Sequence, residues 1–177
     1  MWPRFMLPVE SSATRSSRFA TSDDVAVMIE RFRRLLPALW AGALLCVALI
    51  ATPAPFALLD SPTAGRVVGR IFVQEAWLSL VLAVLLLSVE RARARMAAEV
   101  QQSSMLSTEM LLILGAVFCT VAGYFAVQPL LPAARAGQGA LSFGQLHAAS
   151  AAFFGVKILL VIALAWRGTA PLPTPAR

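Results

Sequence analysis

The chain offers little material for catalytic or metal chemistry. In 177 residues it has one His, one Tyr, two Cys and a single Lys. Both cysteines, Cys46 and Cys119, sit alone within apolar runs, with no CxxC and no Cys/His spacing, which argues against a metal site and against a disulfide framework. One His cannot hold haem by two histidines of one protomer, and no nucleophile–base motif is present. The expectation is a protein that is not an enzyme, with no catalytic residues, no metal ligands and no cofactor.

Charge is scarce too. Only 14% of residues are charged against 59% hydrophobic, and the mean hydropathy is +0.76, too apolar for a soluble domain of this size. The net charge of +6 comes from 15 basic and 9 acidic residues. The bases flank apolar runs instead of lining up as a stripe, which excludes nucleic acid as the expected partner. They read as topology signals and as contacts for anionic headgroups.

What is present is a set of long apolar runs. Ser142 to Arg167 carries the only His, His147, and the only Lys, Lys157. Its apolar core, Ala148–Trp166, counts 19 residues, enough at ~1.5 Å per residue to cross a bilayer core. Three more such runs are Leu35–Thr52, Ile71–Val89 and Met110–Gln128. The predicted fold class is therefore all-α: a polytopic bundle of four transmembrane helices over residues 31–167. Residues 1–30 read as a disordered to amphipathic tail and 168–177 as a Pro-rich one. Within the first tail, Ser22 before Asp23 and Asp24 suits a helix cap, and Val25, Met28, Ile29, Phe32 and Leu36 recur at helical spacing. Met28 is an alternative start, and the Arg-rich flank with its apolar run leaves a signal peptide as a second reading of the first span.

Local signals mark the other helix starts. Ser61 as cap with Pro62 in the first turn begins the second, Ser107 caps the third, and Ser142 with Gln145 has capping-box spacing for the fourth. Two small-xxx-small rows, Ala38/Gly42/Cys46 in span one and Gly115/Cys119/Gly123 in span three, predict close contact between those two spans. Gly65–Gly69 adds GxxxG spacing at the edge of span two.

Arginine distribution orients the bundle. Eleven of the 14 arginines lie before span one, between spans two and three, or after span four; Arg66, Arg70 and Arg135 occupy the other two connections. The positive-inside rule then puts both termini in the cytoplasm.

LLPALWAG and ATPAPF in span one, AGRVVGRIF entering span two and SFGQLHAAS leading into span four resemble a bacterial family, the domain of unknown function 4149, related to the eukaryotic transmembrane protein 205. The resemblance runs from about Arg31 to Arg167. It implies a small multi-pass protein of the bacterial inner (plasma) membrane and carries no biochemical activity with it. It also supports Met28 as a start, because family members begin close to span one.

The candidate site is an intramembrane polar cluster: Glu75, Tyr124, His147, Ser150 and Lys157. On a helical wheel His147, Ser150, Phe154 and Lys157 share a sector of about 80°. Glu75 and Ser79 share a face of span two, and Thr120, Tyr124 and Gln128 a face of span three. Glu75 is the one carboxylate within a span, hence the expected counter-ion for Lys157 or His147, with Tyr124 in reach. A cation in the bilayer costs roughly 2.5–3.5 kcal/mol on insertion scales, so Lys157 needs a partner or a route to water. Two readings stay open. The cluster is a satisfied network that fixes helix order in a scaffold or assembly component, or it is an ion or small-solute site of a permeation component. The expected partners are the bilayer, a second copy of the chain and other membrane proteins.

Overall fold

The structure is a computed structural model that describes residues 12–98 and 107–169, with the side chains of 12–23, 26 and 96–98 left aside. Four helical passes run alternately up and down. The first is α1 (Ser12–Cys46), a π-helical turn (Val47–Ala51) and α2 (Pro53–Leu58). α3 (Ser61–Ala98) is the second. The third is α4 (Thr108–Thr120), a π-helical segment (Val121–Ala126), a 3₁₀ turn (Gln128–Leu130) and α5 (Leu131–Arg135). α6 (Phe143–Gly168) is the fourth. All four are long and apolar enough to cross a membrane: Val27–Leu58, Ser61–Arg95, Thr108–Arg135 and Phe143–Gly168. Among the described residues there is no strand. The chain is thus an all-α multi-pass membrane protein. The end where α1 and α4 rise is called basal here, and the end of the Pro53–Asp60 and Ala136–Leu141 connections apical.

The helices outrun the apolar segments because nothing polar stops them early. α1 begins at Ser12 and passes straight through Ser22, so no helix starts at that expected cap; no Gly or Pro falls between Ser12 and Leu36 to break it. The tail residues 1–11 and 170–177, and 99–106 of the polar connection, lie outside the described residues. At α3 the cap is Asp60, one residue ahead of the expected Ser61: its carboxylate accepts from the Thr63 amide at 3.1 Å. Ser107 accepts from the Met110 amide at 3.2 Å. Ser142 and Gln145 form the full reciprocal box at 2.9 and 3.3 Å.

Both π-helical segments precede a proline. Pro53 cannot donate to the carbonyl four residues back, that of Leu49, and Pro129 cannot donate to Phe125. The widened turns absorb the clash; Thr52 donates its amide to the Val47 carbonyl at 2.9 Å, five residues back.

Packing corrects one expectation. α1 packs against α3 and α6, and α4 packs against the same two helices. Spans one and three therefore stand on a diagonal of the bundle and do not form the close pair expected from their small residues. The row Gly115/Cys119/Gly123 faces span four: a Cβ on Gly115 would meet Leu160 at 3.1 Å, and one on Gly123 would meet Phe153 at 2.6 Å. The row Ala38/Gly42/Cys46 points out of the bundle, with nothing within 4 Å of a Cβ at Gly42. Small residues permit close approach but do not name the neighbour, and in lipid an outward-facing small residue costs little.

The dry core fills the basal half. Trp40, Ala41 and Leu44 of α1 interlock with Ala83 and Leu86 of α3, Ile113 and Ala116 of α4, and Val161 and Leu164 of α6. Ion pairs close the basal end: Arg33 with Glu90 at 3.6 Å across α1 and α3, and Arg167 with Glu109 at 3.0 Å across α6 and α4. Large apolar side chains such as Leu49, Leu159 and Trp166 face outward, as a lipid-facing surface requires.

Candidate functional site

The centre of the bundle holds an ion pair. Lys157 Nζ donates to both carboxylate oxygens of Glu75, at 2.8 and 2.9 Å. The two side chains are only 3% and 6% exposed. They belong to α6 and α3, the helices on the second diagonal, so the pair reaches across the bundle axis instead of along one helix–helix seam. Long, flexible side chains make that reach feasible, and bidentate geometry strengthens it.

The remaining valences are satisfied from two directions. Ser79, one turn along α3 from Glu75, donates its hydroxyl to Glu75 Oε1 at 2.5 Å, and Trp40 of α1 donates its indole N–H to Ser79 Oγ at 3.0 Å. The Lys157 ammonium also lies over the Phe154 ring, 4.8 Å from its centroid. Three helices thus supply one chain of donors and acceptors: Trp40 to Ser79 to Glu75 to Lys157. Such a network leaves little of the desolvation cost uncompensated. Trp40 is the member that sequence reading missed. Its indole N–H, which needs a partner when buried, was the available signal.

The other expected members are elsewhere. Ser150 donates its hydroxyl to the Gly123 carbonyl at 2.8 Å, pinning α6 to the π-helical segment of the third pass. His147 is exposed near the start of α6, its ring stacked on Phe143 with 5.8 Å between centroids. Tyr124 is half-buried with its ring edge-on to Phe125, and no hydrogen bond among the described residues joins it or His147 to the pair. The meeting of Tyr124 with Lys157 expected from side-chain lean does not occur, because the widened backbone at Val121–Ala126 turns that face elsewhere. Thr120 is buried and donates back to the Ala116 carbonyl at 2.9 Å. Cys119 is buried against α6 and Cys46 is exposed. Among the described residues no group of three His, Cys, Asp or Glu is placed to hold a metal ion.

Above the pair the helices part around a cavity of about 890 Å³. Its walls come from the apical ends of all four passes: Ala48, Thr52 and Phe56; Gly65, Val68, Gly69 and Phe72; Gln128 and Arg135; Phe143, His147, Ser150, Ala151 and Phe154. The floor is the edge-to-face pair Phe72–Phe154, with centroids 5.1 Å apart, and Lys157 lies beyond that pair, outside the lining. At the mouth the Arg135 guanidinium sits 4.6 Å over the Phe143 ring.

A family model described as Domain of unknown function (DUF4149) matches residues 35–140. The chain belongs to this family. The matched region holds Glu75, Ser79 and Trp40 and the first three passes. It stops before α6, so Lys157 and the SFGQLHAAS element lie beyond it. No curated protein and no solved structure matches the chain.

Proposed function

We propose that this DUF4149 member is a non-catalytic scaffold or assembly component of a bacterial inner membrane, with both termini cytoplasmic. The observation that carries the reading is the closed state of the central ion pair. Glu75 and Lys157 are buried to within a few per cent and bonded to each other, to Ser79 and, through it, to Trp40. A site that passes ions must let water or cargo exchange with its charges. Here the charges are spent in fixing which helices meet. The eleven-to-three arginine asymmetry supports the orientation.

The second reading, a permeation component, draws on the apical cavity. That cavity ends on Phe72 and Phe154, and the packed residues of the basal half stand below it. Purified protein in proteoliposomes separates the two. Under the scaffold reading, proton, sodium and potassium fluxes equal those of empty vesicles, and the protein co-purifies from mild detergent with a membrane partner in fixed ratio. A flux that vanishes in Glu75→Gln or Lys157→Met overturns it.

A further inference from the structure

The apical cavity has features that the central pair does not explain. It extends along α6 from Phe143 to Phe154, eleven residues or about 16 Å at ~1.5 Å per residue. One leaflet's share of a bilayer core of ~30 Å is about 15 Å. About 9 Å of the cavity's length, Ala148 to Phe154 at ~1.5 Å per residue, lies within the apolar run, so the mouth is at the apical surface and the floor is inside the apical leaflet. Its volume of about 890 Å³ lies at the upper end of the ~300–1,000 Å³ usual for small-molecule sites. The walls are mainly apolar, set by Phe56, Val68, Phe72 and Phe154.

Two polar side chains, Arg135 and His147, gather around Phe143 at the start of α6. Arg135 overhangs the mouth, its guanidinium over the Phe143 ring and its Nη2 3.8 Å from where a Cβ of Gly65 would be. It makes no ion pair with any carboxylate among the described residues. His147 stacks on the same Phe143 ring, 12° from parallel. The apical carboxylate nearest in sequence to these walls, Asp60, is occupied in capping α3 and does not line the cavity. Thr52 contributes a buried hydroxyl oxygen with no hydrogen-bond partner among the described residues. An apolar shaft that enters the apical leaflet, with a guanidinium at its mouth that meets no carboxylate among the described residues, complements an amphiphile with one apolar chain and an anionic head.

We infer that the apical cavity is a binding site for a membrane amphiphile: its hydrocarbon chain lies between the passes down to Phe72 and Phe154, and its phosphate or carboxylate head pairs with Arg135. This assignment is independent of the scaffold reading, since a scaffold and a channel alike can hold a lipid.

Native mass spectrometry of the full chain in detergent tests it, with palmitate, lysophosphatidylglycerol, lysophosphatidylcholine and inorganic phosphate as probes. The expected result is one palmitate or one lysophosphatidylglycerol retained per chain, lysophosphatidylcholine retained about fivefold less, the factor one arginine near an anionic group is worth, and inorganic phosphate not retained. Gly69→Phe points bulk into the shaft where nothing lies within 4 Å of the new Cβ, and should cut retention of both anionic probes at least tenfold without altering the melting temperature. Ala151→Phe serves the same purpose from α6 if Gly69→Phe fails to accumulate. Arg135→Gln should erase the preference for lysophosphatidylglycerol over lysophosphatidylcholine while leaving the latter bound. Undiminished retention in the filled variants would place the chain on the outer surface of the bundle and overturn the inference. Equal retention of the two lysolipids by the unmodified protein overturns the role of Arg135, and inorganic phosphate held as well as lysophosphatidylglycerol overturns the amphiphile.

Discussion

Replacing Lys157 by Met removes the ammonium and keeps an unbranched apolar side chain of similar length. Glu75 is then left with one donor, the Ser79 hydroxyl at 2.5 Å, in a site only 6% exposed. The reverse change, Glu75→Gln, leaves the ammonium with a neutral amide carbonyl and the Phe154 ring at 4.8 Å. Breaking a buried pair from one side costs about 3–5 kcal/mol, whereas replacing both charges is often close to neutral. Either single change leaves one buried charge without its partner, so the double variant should be milder than either. At about 2–4 °C per kcal/mol for a chain of this length, each single change lowers the melting temperature in detergent by roughly 10 °C. A double-mutant cycle scored by melting temperature and membrane abundance should give a coupling near the upper end of the ~0.5–3 kcal/mol seen for contacting residues. Strict additivity would refute the reasoning, because it would mean the charges are solvated separately.

Three further outcomes follow from the packing and the caps. Gly123→Leu should destabilise by about 1–3 kcal/mol, since its Cβ would come within 2.6 Å of Phe153, while Gly42→Leu, with nothing within 4 Å, should melt like the unmodified protein; the reverse order would mean the helix neighbours are wrong. Reporter fusions after Arg95 and after Gly137 should lie on opposite sides of the membrane, and the same side for both would refute the four-pass topology. Thr63 holds the Asp60 carboxyl below the usual carboxylate range through hydrogen bonds from its side chain and backbone. The capped first turn of α3 is thus stabilised above the ordinary carboxylate range, and that support is lost as pH falls through the lowered value. Amide exchange at Thr63 and Ala64 should quicken in Asp60→Ala at neutral pH, and the difference between variants should vanish in strong acid.

The passes were legible because a bilayer leaves the sequence few choices: an apolar run near 20 residues has to be a helix. The Ser107 cap and the Ser142/Gln145 box were legible because their hydrogen bonds close within four residues. The neighbours were not. Gly115, Cys119 and Gly123 signal that a helix comes close, yet α4 and α6 use them, and the similar row in span one meets no helix at all. In water an outward row would look wrong; in lipid both sides of a helix are apolar and the pattern carries no direction. The central network was half legible. One carboxylate and one ammonium among the spans narrow the choice of partners, but Trp40 enters through its indole N–H from a helix whose pattern shows only an apolar residue. The cavity was not legible, because it arises where prolines 53 and 129 end regular winding and the passes separate.

The diagonal ion pair also has a history within each molecule. Glu75 is made 82 residues before Lys157. At ribosomal rates of about 5–20 residues per second, span two waits roughly 4–16 seconds for the helix that carries its counter-charge. During that interval the carboxylate has no ammonium to meet and must stay beside water or other polar groups, since a bare carboxylate in hydrocarbon is too costly to persist. Arrival of the fourth span converts a three-helix intermediate with an orphan acid into a locked bundle. A chain that stops short of Lys157 never makes that transition, and its unpaired Glu75 would mark it as unfinished.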